Sequence, residues 1–169
     1  WSSSFGASSG NEELSPTAFL VSDCYEIYIA GWGGETNSTH SSAVNSTSNG
    51  MPITSDAYQP TTSGSNFYLA LFTKDMVDLK YGTYMGSLTG SNDHVDGGTS
   101  RFDKGGGVYH AVCAACGGLD SGFPTTSGVF SPTNNSPNCN MAAFLFELSK
   151  IEASLGTGSP VICIPDPVF

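Results

Sequence analysis

Five cysteines, Cys24, Cys113, Cys116, Cys139 and Cys163, are the residues most able to do chemistry in this chain. Cys113-x-x-Cys116, with Cys139 and the nearby His110, has the ligand types of a zinc site, which takes thiolates and imidazoles. The same cysteines in an oxidising compartment form disulfides instead. Disulfides are the favoured reading. The spacing does not fix the pairing: Cys116 with Cys139 would close the loop between them, and Cys113 with Cys116 is the alternative. Cys24 or Cys163 would then pair elsewhere or stay single, since an odd count leaves one thiol over. His110 and Cys113 could also form a base and nucleophile. At a spacing of three on a strand, however, they point to opposite faces. No phosphate loop is present. No catalytic role is assigned.

Asp93, Asp96 and Asp103 flank Gly97-Gly98 and could hold calcium. Their spacing departs from the twelve-residue calcium loop, and turn carboxylates bonding their own backbone are the simpler reading. No cofactor is therefore expected, with calcium as the exception to test. The same carboxylates with Tyr28 and Trp32 could line a glycan site. Asn37, Asn45 and Asn134 each begin an Asn-x-Ser/Thr acceptor sequence for glycan attachment.

Behind these residues lies a repeat. Met51-Pro52-Ile53-Thr54-Ser55-Asp56-Ala57-Tyr58-Gln59-Pro60-Thr61 matches Phe123-Pro124-Thr125-Thr126-Ser127-Gly128-Val129-Phe130-Ser131-Pro132-Thr133. Upstream, residues 21–30 match 102–111; downstream, 67–72 match 143–148. Trp1 to Gly6 echoes Tyr81 to Gly86, which suggests that the chain opens inside an earlier unit. Fixed-order similarity over tens of residues indicates a propeller, a solenoid or an array.

Alternating apolar and aromatic residues place strands at 17–21, 26–31, 66–73, 79–85, 99–102, 107–113 and 141–148. Residues 1–6 read as a strand end, and 33–50 and 86–98 as polar loops. Residues 141–155 alone have helical composition. The repeat overrides this as far as 148, leaving 150–155 for a helical turn. Three prolines, Pro160, Pro165 and Pro167, make the tail extended. The organisation is a leading strand and loop (1–16), two repeat units (17–86 and 87–155) and a tail (156–169).

A formal charge of −10 and only five basic residues, scattered, argue against nucleic acid or an anionic membrane. No apolar run reaches the ~20 residues of a membrane-spanning helix. Charged residues are only 12% of the chain, and Ser, Thr, Asn and Gly are abundant. That composition fits a secreted all-β protein, present here as a mature product or a fragment.

The strings Glu26-Ile27-Tyr28-Ile29-Ala30-Gly31, Phe123-Pro124-Thr125-Thr126, Asn66-Phe67-Tyr68-Leu69-Ala70-Leu71-Phe72 and Tyr81-Gly82-Thr83-Tyr84-Met85-Gly86 resemble the bacterial SBBP β-propeller repeats. They are most similar to the version in large secreted surface proteins of the gliding-motility-associated type. The tail around Cys163-Ile164-Pro165 resembles the start of the PKD-type domains that follow such repeats. The resemblance implies blade-like antiparallel sheets and a cell-surface location. Two units fall short of the 4–8 blades of a typical ring, so the sheets would stay open and be completed by neighbours.

The expected function is that of an extracellular structural or adhesive protein without enzymatic activity. It would form a fibre head to tail through strand edges. Trp1 and Phe5 at one end, and Val161, Ile162 and Ile164 at the other, are the candidate edge residues. Partners would be further copies or adjoining domains. A carbohydrate-binding propeller module is the alternative.

Overall fold

The computed structural model describes residues 2–7, 10, 12–22, 24–40, 45–89, 92–103, 107–117 and 122–147. Trp1, Val161, Ile162, Cys163, Ile164, the 150–155 turn and the whole tail lie outside the described residues.

The described chain is all-β, with two antiparallel meander sheets and one short helix. The first sheet has the order β1 (Ser15–Val21), β2 (Ile27–Trp32), β3 (Phe67–Phe72), β4 (Leu79–Met85). In the second, β5 (Asn92–Phe102), β6 (Gly107–Cys116) and β7 (Asn140–Glu147) follow in turn. Each strand pairs with the next one in sequence. The β1–β2 and β5–β6 hairpins each lead into a Pro-Thr segment and then into an apolar strand, β3 or β7.

The sheets pack face to face. Tyr28, Trp32, Phe67, Leu69, Leu71 and Tyr81 of the first share a core with Val108, Val112 and Ala114 of the second. Phe67 is fully buried and lies 5.6 Å from the Phe144 ring. Burying each such side chain contributes about 1.5–3 kcal/mol.

The first sheet is also covered on its other face, where Ile27, Met51, Tyr68, Ala70, Phe72 and Tyr84 form a second cluster. All six residues of β3 are therefore buried. Among the described residues the second sheet is covered on one face only, and β7 alternates half-buried and exposed residues along its length.

Three expectations change. Residues 2–5 form no strand; Phe5 instead lays its ring on Phe72 (4.9 Å) and Tyr68 (6.4 Å), capping the first sheet. The 86–98 loop is half strand, because β5 begins at Asn92. Its polar, Gly-rich residues carry no alternation, and pairing with the apolar β6 orders them. The 33–50 loop contains the helix α1 (Glu35–His40).

The first Pro-Thr segment is fastened along β4. Thr54 N donates to Gly82 O (3.1 Å), and Tyr84 N donates to Gln59 O (3.1 Å). Gln59 N donates to Thr83 Oγ1 (2.9 Å), and the Tyr68 hydroxyl to Pro52 O (2.6 Å). Gly82 permits the close approach, since a Cβ there would sit 2.7 Å from Pro52 O.

Candidate functional site

Two places in the second sheet carry the residues singled out by sequence: the cysteine corner, where β5 and β6 meet the loop 117–139, and the open side of β7.

Cys116 and Cys139 form a disulfide that closes the loop holding the second Pro-Thr segment. Cys24 is disulfide-bonded as well. Cys113 departs from expectation and carries a free thiol. Asp93 sets the corner. Its carboxylate accepts from Ser87 N (2.6 Å), Asn66 Nδ2 (3.0 Å) and Ala115 N (2.8 Å). Asp93 is thus a buried acceptor joining the two sheets, and Gly86 makes room for it: a Cβ at Gly86 would sit 2.3 Å from Asp93 Oδ2. Ala115 takes a left-handed φ of 52°, held by its bond to Asp93, and turns the chain into Cys116.

The three aspartates do not converge. Asp103 sits at the opposite end of β5 and accepts from Gly107 N (2.8 Å) in its own hairpin, which is the turn role expected of such a residue. Asp96 is exposed. The calcium grouping therefore fails on geometry.

The pairing of His110 with the cysteines fails too. His110 points into the core, stacked on Phe144 at 4.9 Å, while Cys113 lies across from Met141. Burial lowers the His110 imidazole to about 4, so it is neutral at ordinary pH. The opposite orientation of His110 and Cys113 is the one their spacing implies.

Cys113 instead meets two residues of β5. Its thiol donates to Asp96 Oδ2 (3.4 Å), and the same oxygen lies 3.5 Å from His94 Nε2. On the far side of the ring, His94 Nδ1 is 3.6 Å from Cys116 Sγ. Burial, and then Asp96, push the Cys113 thiol above its usual range. A thiol that donates to a carboxylate is a poor nucleophile, because the thiolate is the reactive form. His94 was invisible in the sequence reading; the distorted β5–β6 register that brings it to Cys113 has no sequence signature.

The proposed glycan-facing aromatics are core residues. Tyr28 and Trp32 are both buried against the second sheet, so neither can stack on a sugar. Of the acceptor asparagines, Asn37 is fully buried, with Nδ2 donating to Ser46 Oγ (2.8 Å) and Oδ1 accepting from Ser15 Oγ (2.6 Å). It is closed to modification in the folded chain. Asn134 is half-buried and holds its loop, its Nδ2 donating to Ala115 O (3.3 Å) and Asn138 O (3.3 Å). Asn45 is exposed, with a positive φ of 61°.

Along the second sheet, the far edge of β7 has no partner strand among the described residues. An open groove of about 1060 Å³ runs along that strand, lined also by Tyr58, Tyr81, Phe123 and Phe130. On the outward face, Leu145 lies across from Tyr109 and Met141 across from Cys113. Met141 is 88% exposed. The first sheet exposes its own apolar corner, Phe19 and Val21 of β1. The far edge of β1 is blunted by Pro16 and by the register shift beside it.

No protein-family model, no curated protein and no solved structure matches this chain. Among the described residues, no helix is long and apolar enough to cross a membrane.

Proposed function

We propose that this chain is an extracellular structural subunit, adhesive rather than enzymatic, that assembles head to tail through strand edges. The single observation that carries this reading is the open side of β7. Its far edge is unpaired among the described residues, and its outward face exposes Met141 and Leu145 beside Tyr109. A strand edge with an apolar strip alongside is a template for another chain. The occupant is a second copy, presenting a surface other than β7. The apolar corner at Phe19 and Val21 is such a surface. A contact between unlike surfaces need not close on itself and so extends into a filament.

The finer fold reading belongs to the same proposal. Two meander sheets stacked face to face are what neighbouring SBBP-type propeller blades would look like. The disulfides support an oxidising, extracellular setting.

Sedimentation velocity across a concentration series tests the reading. The native chain should form growing oligomers. The double variant Met141→Lys, Leu145→Lys should stay monomeric with an unchanged melting temperature, since both side chains already face solvent. A native chain that stays monomeric throughout would overturn the proposal.

A further inference from the structure

We propose that His94 Nε2, Asp96 Oδ2 and Cys113 Sγ form a binding site for a zinc-like divalent cation. One ligand atom from each of the three residues lies within 4.8 Å of the other two. Around a tetrahedral zinc with bonds of ~2.0–2.1 Å to nitrogen and oxygen and ~2.3 Å to sulfur, neighbouring ligand atoms are ~3.3–3.6 Å apart. The observed separations of 3.5 Å from imidazole nitrogen to carboxylate oxygen and 3.4 Å from that oxygen to sulfur fit this geometry. The donor set of thiolate, imidazole and carboxylate suits zinc better than the all-oxygen shell that calcium or magnesium prefers.

The local fold builds the cluster. Partners along β5 advance five residues, from His94 to Thr99, while those on β6 move only two, from Cys113 to Ala111. Three extra residues of β5 are thereby bulged over β6, and Asp96 is among them. Bulges commonly re-aim side chains at functional positions. His94 is oriented from both sides: its ring packs 5.8 Å from that of Trp32, and Nδ1 faces Cys116 Sγ.

Cation binding replaces the thiol proton, which leaves to solvent, and no oxidant or reductant is needed. Three protein ligands leave a fourth position for water or for a group from another molecule. The site also gives the free thiol a role in a chain whose other described cysteines are disulfide-bonded.

The test uses the full chain without reductant, so that the disulfides stay intact. Cobalt(II) chloride is titrated as a spectroscopic probe, and zinc chloride as a competitor. The expected result is a thiolate-to-cobalt charge-transfer band that zinc abolishes, with alkylation of Cys113 slowed by zinc. Cys113→Ser should lose the band. Asp96→Asn, at an exposed position, should keep the fold and weaken binding by more than the ~100-fold that loss of a mere supporting partner costs at most. Absence of the band together with zinc-independent alkylation would overturn the proposal. So would equal affinity in Asp96→Asn.

Discussion

The two Pro-Thr segments share a pattern and differ in what holds them. Residues 51–61 lie along β4, and Gln59 is buried there, donating to Thr61 O (2.9 Å) and accepting from Gly86 N (3.1 Å). At the matching position of residues 123–133 stands Ser131, which is exposed and donates within its own segment, to Thr133 O (3.3 Å). Tyr58 and its counterpart Phe130 are both exposed, Phe130 fully, but Tyr58 N is tied to the sheet by donating to the Tyr81 hydroxyl (2.9 Å). The first copy is fixed by hydrogen bonds to a fourth strand. The second is fixed by Phe123 in the core and by the Cys116–Cys139 bridge. One sequence motif thus has two physical states, and the presence of a strand beside it separates them. The second sheet lacks such a fourth strand among the described residues.

The largest expected effect attacks the layer on which both copies rest. Phe67→Ala should lower stability by about 3–5 kcal/mol, the usual cost of emptying a buried aromatic site. Phe130→Ala should stay within about 0.5 kcal/mol, as surface changes do. Urea titration of both variants measures the contrast; equal losses would break it.

Removing the covalent tie comes next. Cys139→Ser should cost about 3 kcal/mol, the chain-entropy value for a loop of this length. Limited proteolysis should then cut within 117–139 while sparing 51–61. Cleavage of both segments at the same rate would show that they are held alike.

The interface between the sheets should be acid-sensitive. The folded His110 titrates at about 4, below the unfolded value of ~6.5, so the unfolded chain binds the proton first. Stability is complete above about pH 6.5 and is lost as pH falls toward about 4, by up to about 3 kcal/mol. His110→Phe should flatten that limb of a melting-temperature profile. An unchanged limb would place the acid sensitivity elsewhere.

The smallest effect sharpens the hydrogen-bond contrast. Gln59→Ala should cost about 1–3 kcal/mol because it leaves buried groups without partners. Ser131→Ala should be near neutral. Calorimetry of the pair decides this.

Most strands were legible because their residues alternate or recur. Helical propensity in 141–148 gave way correctly to the repeat, since β7 spans Asn140–Glu147. The start of β5 was not legible: polar, glycine-bearing residues there are made a strand by the β6 edge and by the Asp93 bonds. The short helix after Gly34 was hidden by low complexity. At the site, the Cys116–Cys139 bridge stood among the alternatives, whereas His94 needed a register that spacing does not encode. Tyr28, Trp32 and Asn37 were misplaced for one reason. Residue type marks sugar-binding aromatics and acceptor asparagines, but burial decides whether they are available, and burial here comes from packing across the two sheets.

Electron microscopy of native, never-denatured material decides whether the chain polymerises. Regular filaments are expected, in which a neighbouring copy lies along β7 and covers Met141 and Leu145. Monodisperse particles, or filaments whose contacts leave β7 exposed, would contradict that expectation.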